Sequence, residues 1–355
     1  MIQSQEPSTR RRRLIVVGAA VAVLATAGVV VALLRSAPDL PRYDAHPVRA
    51  APAAPQPVDI VIGEELFTTD GRRITLPTGA VLADRVPAGW IVRTYRGVDG
   101  GGLWLIAGDT VRELVADAAD AADAVVAPDG RSVAFRQGNW ITVAAVTGDG
   151  LAVRHRTRVD GTDLAQGRRG VILHGWVGDT LLLSHVNPSH AADDGDGLWD
   201  PATGDYDGTP QPFAALHGSD HVLLGTVQRD GRACLVAVRG SASKPTLGPP
   251  ACGIDVMAHF EHAVSPDGRY VLGLGSGAGA PMRLYDVARG VPVADLPARQ
   301  AEPVWLTADT VLTRAGDGQA LLRVSTADPG HPVRIPLPEP AAGRWSLVAR
   351  HGVPV

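Results

Sequence analysis

The chain has 355 residues, with 33 basic and 37 acidic side chains for a net charge of −4, and this balance argues against nucleic acid as a partner. Its only lysine is Lys244, and arginine, alanine, glycine and valine dominate, a bias that fits GC-rich coding and removes weight from any argument based on arginine counts.

Residues 1–13 form a short tail that ends in Arg10, Arg11, Arg12 and Arg13. From Leu14 to Leu34 there follow 21 residues without a charge. About 20 apolar residues suffice to cross a bilayer as a helix. The arginines mark the end retained in the cytoplasm, so the reading is a single-pass anchor at residues 14–34, N-terminus inside and C-terminal part outside the cell membrane. The competing reading is a signal peptide cleaved after Ala27, since Ala25-Thr26-Ala27 is an A-x-A site, although Gly28 to Leu34 continue the apolar run. Residues 35–57 hold six prolines and six alanines, the composition of an extended linker.

Residues 58–355 are enough for one large all-β domain or two ordinary ones, and their net charge is about −8. Short strand-like runs dominate: Val133 to Phe135, Trp140 to Val146, Thr180 to Leu183, Val222 to Val227 and Cys234 to Val238. No long amphipathic helix is present, and the alanine-rich stretch from Ala116 to Ala124 carries three aspartates and no continuous apolar face.

A period runs through these strands. Ala127-Pro128-Asp129-Gly130-Arg131 returns as Ser265-Pro266-Asp267-Gly268-Arg269, each a small residue, a tight turn and then a strand. Trp176-Val177-Gly178-Asp179-Thr180 has its counterpart in Trp305 to Thr310, and Leu198-Trp199-Asp200 in Leu284-Tyr285-Asp286. Six units result, at 79–118, 122–166, 170–211, 212–256, 258–299 and 301–338, the spacing of four-stranded propeller blades. Ile60 to Phe67 and Arg73 to Leu76 at one end, with Trp345 to Ala349 at the other, are free to pair into a seventh blade that closes the ring. The alternatives are six blades with an extra N-terminal hairpin, or two separate β-sandwiches.

The two small-Pro-Asp-Gly-Arg turns, the first followed by Val133-Ala134-Phe135, resemble those of the bacterial WD40-like, TolB-like β-propellers. That resemblance implies an all-β propeller over roughly residues 59–355. The hydrogen-bonded His, Ser/Thr, Asp, Trp set of eukaryotic WD40 blades is not recoverable here.

Cys234 and Cys252 are the only cysteines, and outside the membrane they would form a disulfide; the alternatives are two buried thiols or a metal site, for which two cysteines without a CxxC are poor ligands. The acidic run with Asp193, Asp194, Asp196, Asp200, Asp205 and Asp207 has calcium-type oxygens, but its spacing departs from D-x-[DN]-x-[DN]-G and a solvated loop explains it. Asp200, Thr203 and Gly204 also match part of the quinoprotein blade repeat, yet Gly208 stands where that repeat has tryptophan, so a quinone is rejected. Gly273 to Gly279 is followed by an expected strand, not by the helix a phosphate loop needs. No G-x-S-x-G or H-E-x-x-H motif occurs, and His259 with His262 makes only an isolated H-x-x-H. Among the tryptophans, blade-to-blade packing accounts for Trp104, Trp140, Trp176, Trp199 and Trp305, and Trp90 is the one to test for ligand contact.

The sequence therefore assigns no catalytic, cofactor or metal residue. It reads as a membrane-anchored extracytoplasmic propeller that binds an envelope protein or glycan without catalysis. The rival is an envelope hydrolase or lyase whose site would sit at the channel mouth.

Overall fold

The computed structural model describes residues 40–95, 101–118, 124–137, 140–158, 172–184, 196–208, 214–219, 222–239, 246–252, 263–274, 281–298, 303–338 and 345–352. The chain divides into two compact units, Met1–Leu40 and Pro41–Val355, and every described strand belongs to the second. No helix long and apolar enough to cross a membrane occurs among the described residues, and the expected anchor at 14–34 lies outside them.

Alternating apolar residues with glycine turns between them produce strands throughout the described residues, and there these gather into seven sheets. Six come from consecutive stretches of chain. Sheet 1 contains Ala80–Val86, Gly89–Tyr95, Gly101–Ala107 and Thr110–Ala118. Sheet 2 contains Ala124–Val126, Ser132–Gln137, Trp140–Thr147 and Gly150–Arg158, and sheet 3 Ile172–Val177, Thr180–Ser184, Asp196–Trp199 and Tyr206–Gly208. Sheet 4 runs from Ala214–Ser219 through Val222–Arg229 and Arg232–Arg239 to Thr246–Leu247, with Ala251–Cys252 also on its third strand. Sheet 5 has three strands, Tyr270–Leu274, Met282–Asp286 and Val291–Leu296, with Val264 bridged to Val271 in place of a first strand. Sheet 6 spans Val304–Thr307 to Asp328–Pro336.

The seventh sheet is built from both ends. Ile60–Ile62, Glu65–Phe67 and Arg72–Thr75 form a meander, and Trp345–Leu347 pairs with its first strand so that Ile60 faces Leu347 and Ile62 faces Trp345. Of the alternatives left open by the sequence, this is the seven-sheet closure. Just beyond, Ala349–Arg350 runs parallel to Asp84–Arg85 of sheet 1, carrying the C-terminus from the closing sheet to its neighbour.

The core shows that the ring is continuous. Val61, Leu66 and Ile74 of the closing sheet pack on Ala83, Trp90 and Val92 of sheet 1. Sheets 1 and 2 are tied by polar contacts: Arg93 Nη1 donates to the Ala124 carbonyl at 3.1 Å, Gln137 Nε2 to that of Ala116 at 3.4 Å, and Arg112 to that of Asp149. Ile141 and Val143 of sheet 2 pack on Leu173, Trp176 and Leu181 of sheet 3, and Leu182 and Leu198 continue to Val236 of sheet 4. Leu224 and Leu235 join Val271 and Leu284 of sheet 5, which join Val311 and Leu322 of sheet 6. Leu312 and Leu321 then meet Ile60, Trp345 and Leu347, which returns the core to its start. This is an all-β propeller, in which each sheet packs against the next and the last against the first.

One expectation needs correction. Part of the segment read as a free linker is structured: Ala45–Pro47 pairs with Thr110–Arg112, and Ala50–Pro52 with Arg72–Ile74. Both strands are exposed and cover the outer edges of sheet 1 and the closing sheet. Proline and alanine do not forbid this, because proline is tolerated on an edge strand where its missing N–H faces away from the ladder. The same seam is thus crossed on one edge by the N-terminal segment and on the other by the C-terminal one.

Cys234 and Cys252 form a disulfide with Cα atoms 4.1 Å apart, across a strand pair in sheet 4. It closes a loop with a sequence separation of 18. In the chain-entropy model that contributes about 3 kcal/mol, so Cys252→Ser should lower unfolding stability by about that amount, measured by denaturant titration of both proteins under non-reducing conditions. Equal midpoints would show that the bond does not stabilise the fold.

Candidate functional site

The positions singled out in the sequence have structural work. Trp90 is buried, its Nε1 donates to Asp59 Oδ2 at 2.8 Å, and the Arg85 guanidinium stands 3.8 Å over its ring. It belongs to the seam between the closing sheet and sheet 1, not to a ligand site. Trp176 donates from Nε1 to the Val125 carbonyl at 3.2 Å, and Trp345 to that of Gly318 at 3.1 Å, each a bond from one sheet to the preceding one. Asp200 Oδ1 accepts the Ala202 N–H at 2.7 Å, which fixes its own turn. Asp193 and Asp194 lie outside the described residues, as do His185, His190, His221, His259 and His262. Among the described residues no group of three or more His, Cys, Asp or Glu is arranged to hold a metal ion.

Asp84, Arg93 and His351 form a buried polar cluster. Arg93 Nη2 lies 3.2 Å from Asp84 Oδ2, and His351 Nε2 lies 3.3 Å from Asp84 Oδ1. Asp84 sits on the first strand of sheet 1, beside the added C-terminal strand. Its carboxylate is thereby engaged on both oxygens, and the group ties the C-terminal segment, sheet 1 and sheet 2 together.

Two cavities lined by described residues bear on function. One, of about 660 Å³, lies at the seam of sheet 1 and the closing sheet; the exposed N-terminal segment contributes Pro47, Val48 and Arg49, and Tyr95 and Trp104 line it opposite. The other, of about 580 Å³, lies between sheets 2 and 3 and gathers more chemistry. Asp129 reaches it from the turn Ala127 to Arg131, Asp179 from the turn after Val177, and Arg154 and His155 from the last strand of sheet 2; Val143 and Trp176 add apolar surface.

Local sequence explains how these groups meet. In the turn, the Gly130 N–H donates to the Ala127 carbonyl at 2.8 Å and the Arg131 N–H to Asp129 Oδ1 at 2.8 Å, with Gly130 at φ +65°. Asp129 is held at the cleft by the same turn that defines the repeat. Arg154 and His155 are adjacent in a strand, where alternation would send them to opposite faces. They escape it because Val143 pairs with His155 while Ala144 pairs with Val153, so Arg154 is an extra residue in a β-bulge. A bulge re-aims a side chain, and here both neighbours line one cleft.

Apart from Asp129, whose Oδ1 accepts the Arg131 N–H, the cleft groups are only lightly engaged by the fold. Arg154 Nη1 makes one long contact, 3.4 Å, with Ser132 Oγ. The side chains of His155 and Asp179 make no hydrogen bond among the described residues. Ser132, the hydroxyl of the cleft, faces the Arg154 guanidinium.

No protein-family model and no curated protein matches the chain in sequence. Its fold is similar to solved structures. A functionally unknown protein from Desulfotomaculum acetoxidans aligns with a TM-score of 0.50 at 13% identity, over 83% of this chain and 100% of that one. TolB from Acinetobacter baumannii aligns with a TM-score of 0.42 at 11% identity, over 85% of this chain and 83% of that one. The Cps50 (Swd1) β-propeller domain of Myceliophteria thermophila aligns with a TM-score of 0.47 at 12% identity, over 78% and 91%. At such identities the likeness bears on the fold alone.

Proposed function

We propose that this protein is a non-catalytic binding module of the bacterial TolB-like, WD40-like kind, held at the cell envelope by a helix at residues 14–34 with its propeller outside. The cleft between sheets 2 and 3 carries the reading, because it brings two carboxylates, a guanidinium and an imidazole to one cavity. A rigid ring with side chains presented from its turns is suited to recognition. The rival enzyme reading would place acids and histidines at the channel mouth. Another group with an acid and a histidine, Asp84 with Arg93 and His351, is buried and mutually paired.

The anchor is supported by 21 charge-free residues behind four arginines. Protease treatment of spheroplasts should digest the C-terminal part, and complete protection there would overturn the orientation. For binding, crosslinking in intact cells followed by recovery of the full chain should capture a specific envelope partner. Recovery of none, together with hydrolysis of an envelope substrate by the purified chain, would sink the reading.

A further inference from the structure

We infer that the cleft between sheets 2 and 3 is a site for a short dipolar peptide, its carboxylate held by Arg154 and His155 and its ammonium group by Asp129 and Asp179. The inference rests on the reading of the protein as a binding module and gives that module a ligand class.

Three observations carry it. The bulge at Arg154 places a guanidinium and an imidazole side by side on one wall, which a regular strand cannot do. Guanidinium favours carboxylates because its planar N–H groups match two oxygens at once, and charge-assisted hydrogen bonds of this kind are shorter and stronger than neutral ones. The opposite sign is supplied from two turns on neighbouring sheets, Asp129 from sheet 2 and Asp179 from sheet 3. Both carboxylates are exposed, so neither is occupied by the core.

The balance of charges selects the ligand. A simple anion would meet Arg154 but also two carboxylates, and a simple cation would meet the carboxylates but also the guanidinium. A molecule with both charges satisfies the two sets together. At about 580 Å³ the cavity is within the usual range for small-ligand sites and admits two or three small residues. Val143 and Trp176 offer apolar surface to the ligand's side chains.

The test is calorimetric titration of the full chain in detergent with L-alanyl-L-alanine and tri-L-alanine, and with the same peptides N-acetylated and C-amidated. Saturable binding of at least one charged peptide is expected, weakened at least tenfold by capping both ends. Arg154→Gln and Asp179→Asn should each weaken it at least tenfold, while Arg323→Gln, an exposed position on sheet 6, leaves it unchanged. Both cleft positions are exposed, so the variants are expected to keep the parent's unfolding temperature. No binding of either charged peptide, equal binding of the capped forms, or full affinity in Arg154→Gln would overturn the inference. A partner captured in cells with no peptide binding would overturn this ligand class and leave the binding module standing.

Discussion

A chain ending at Pro340 should fail to hold the closed ring. It lacks Trp345, Leu347 and Val348, each less than a tenth exposed, and with them the strand that pairs with Ile60–Ile62. Burying one large apolar side chain contributes about 1.5–3 kcal/mol, so the three together amount to roughly 5–9 kcal/mol. Net stabilities of domains are about 5–15 kcal/mol, which makes this loss comparable with the whole. The shortened chain also leaves Ile60 uncovered on one side and takes Trp345 and Leu347 from the cluster that holds Leu312 and Leu321 of sheet 6. Thermal unfolding and amide exchange at Ile60–Ile62 are the measurements: the expected result is loss of the cooperative transition, or a midpoint more than 10 °C lower, with fast exchange in that strand. Removing residues 41–47 is the control, because the one strand it deletes, Ala45–Pro47, is exposed and covers only an edge, and Val48 is kept. If the shortened chain unfolds at the parent temperature, the closing sheet is not what holds the ring.

Much of this ring was legible because its turns depend on local chemistry. Pro-Asp-Gly-Arg at 128–131 and 266–269 folds as read: in the second, the Gly268 N–H donates to Ser265 O at 2.8 Å, the Arg269 N–H to Asp267 Oδ1 at 3.0 Å, and Ser265 Oγ to Asp267 Oδ1 at 2.6 Å. The same turn occurs twice more, unrecognised for want of proline: the Gly71 N–H donates to Thr68 O, and the Gly318 N–H to Ala315 O with the Gln319 N–H on Asp317 Oδ1. The Asp-Gly pair was the available signal in both. The disulfide followed from two cysteines and the expected compartment, and the structure pairs them across neighbouring strands.

The candidate site was not legible, for a different reason. Val153 to Arg158 reads as ordinary alternating strand, and nothing in it marks Arg154 as an extra residue; the bulge exists only through the register with Val143 and Ala144. Asp129 and Asp179 were visible as turn residues, but their shared cleft depends on the packing of sheet 2 on sheet 3. The pairing of His351 with Asp84 spans a sequence separation of 267, and it needs the C-terminal strand to have crossed from the closing sheet to sheet 1. Local patterns predict elements well. Long-range register decides which side chains meet.

That long-range cluster is where a second large effect is expected. Asp84→Asn keeps the shape of the side chain and removes its charge, leaving the Arg93 guanidinium buried at 4% exposure without the carboxylate now 3.2 Å away. Its contact with the Ala124 carbonyl does not neutralise the charge. Breaking a buried ion pair from one side costs about 3–5 kcal/mol, since the surviving charge stays out of water without the opposite charge that offset its desolvation. One of the two acceptor oxygens becomes an amide NH2 at the same time, so Arg93 and His351 compete for the oxygen that remains, which loosens the segment beyond Arg350. Just there, a Cβ on Gly352 would overlap the Asp129 carbonyl oxygen, so the C-terminal segment has little room to shift. The double variant Asp84→Leu with Arg93→Met should be less damaged than Asp84→Asn, because it removes both charges and keeps apolar volume. Denaturant unfolding of the three proteins measures this. The same variants also separate the two functional readings: a cluster that only ties sheets together loses stability in Asp84→Asn and regains part of it in the double variant, whereas a catalytic carboxylate would leave Asp84→Asn stable and abolish an activity that the double variant cannot restore.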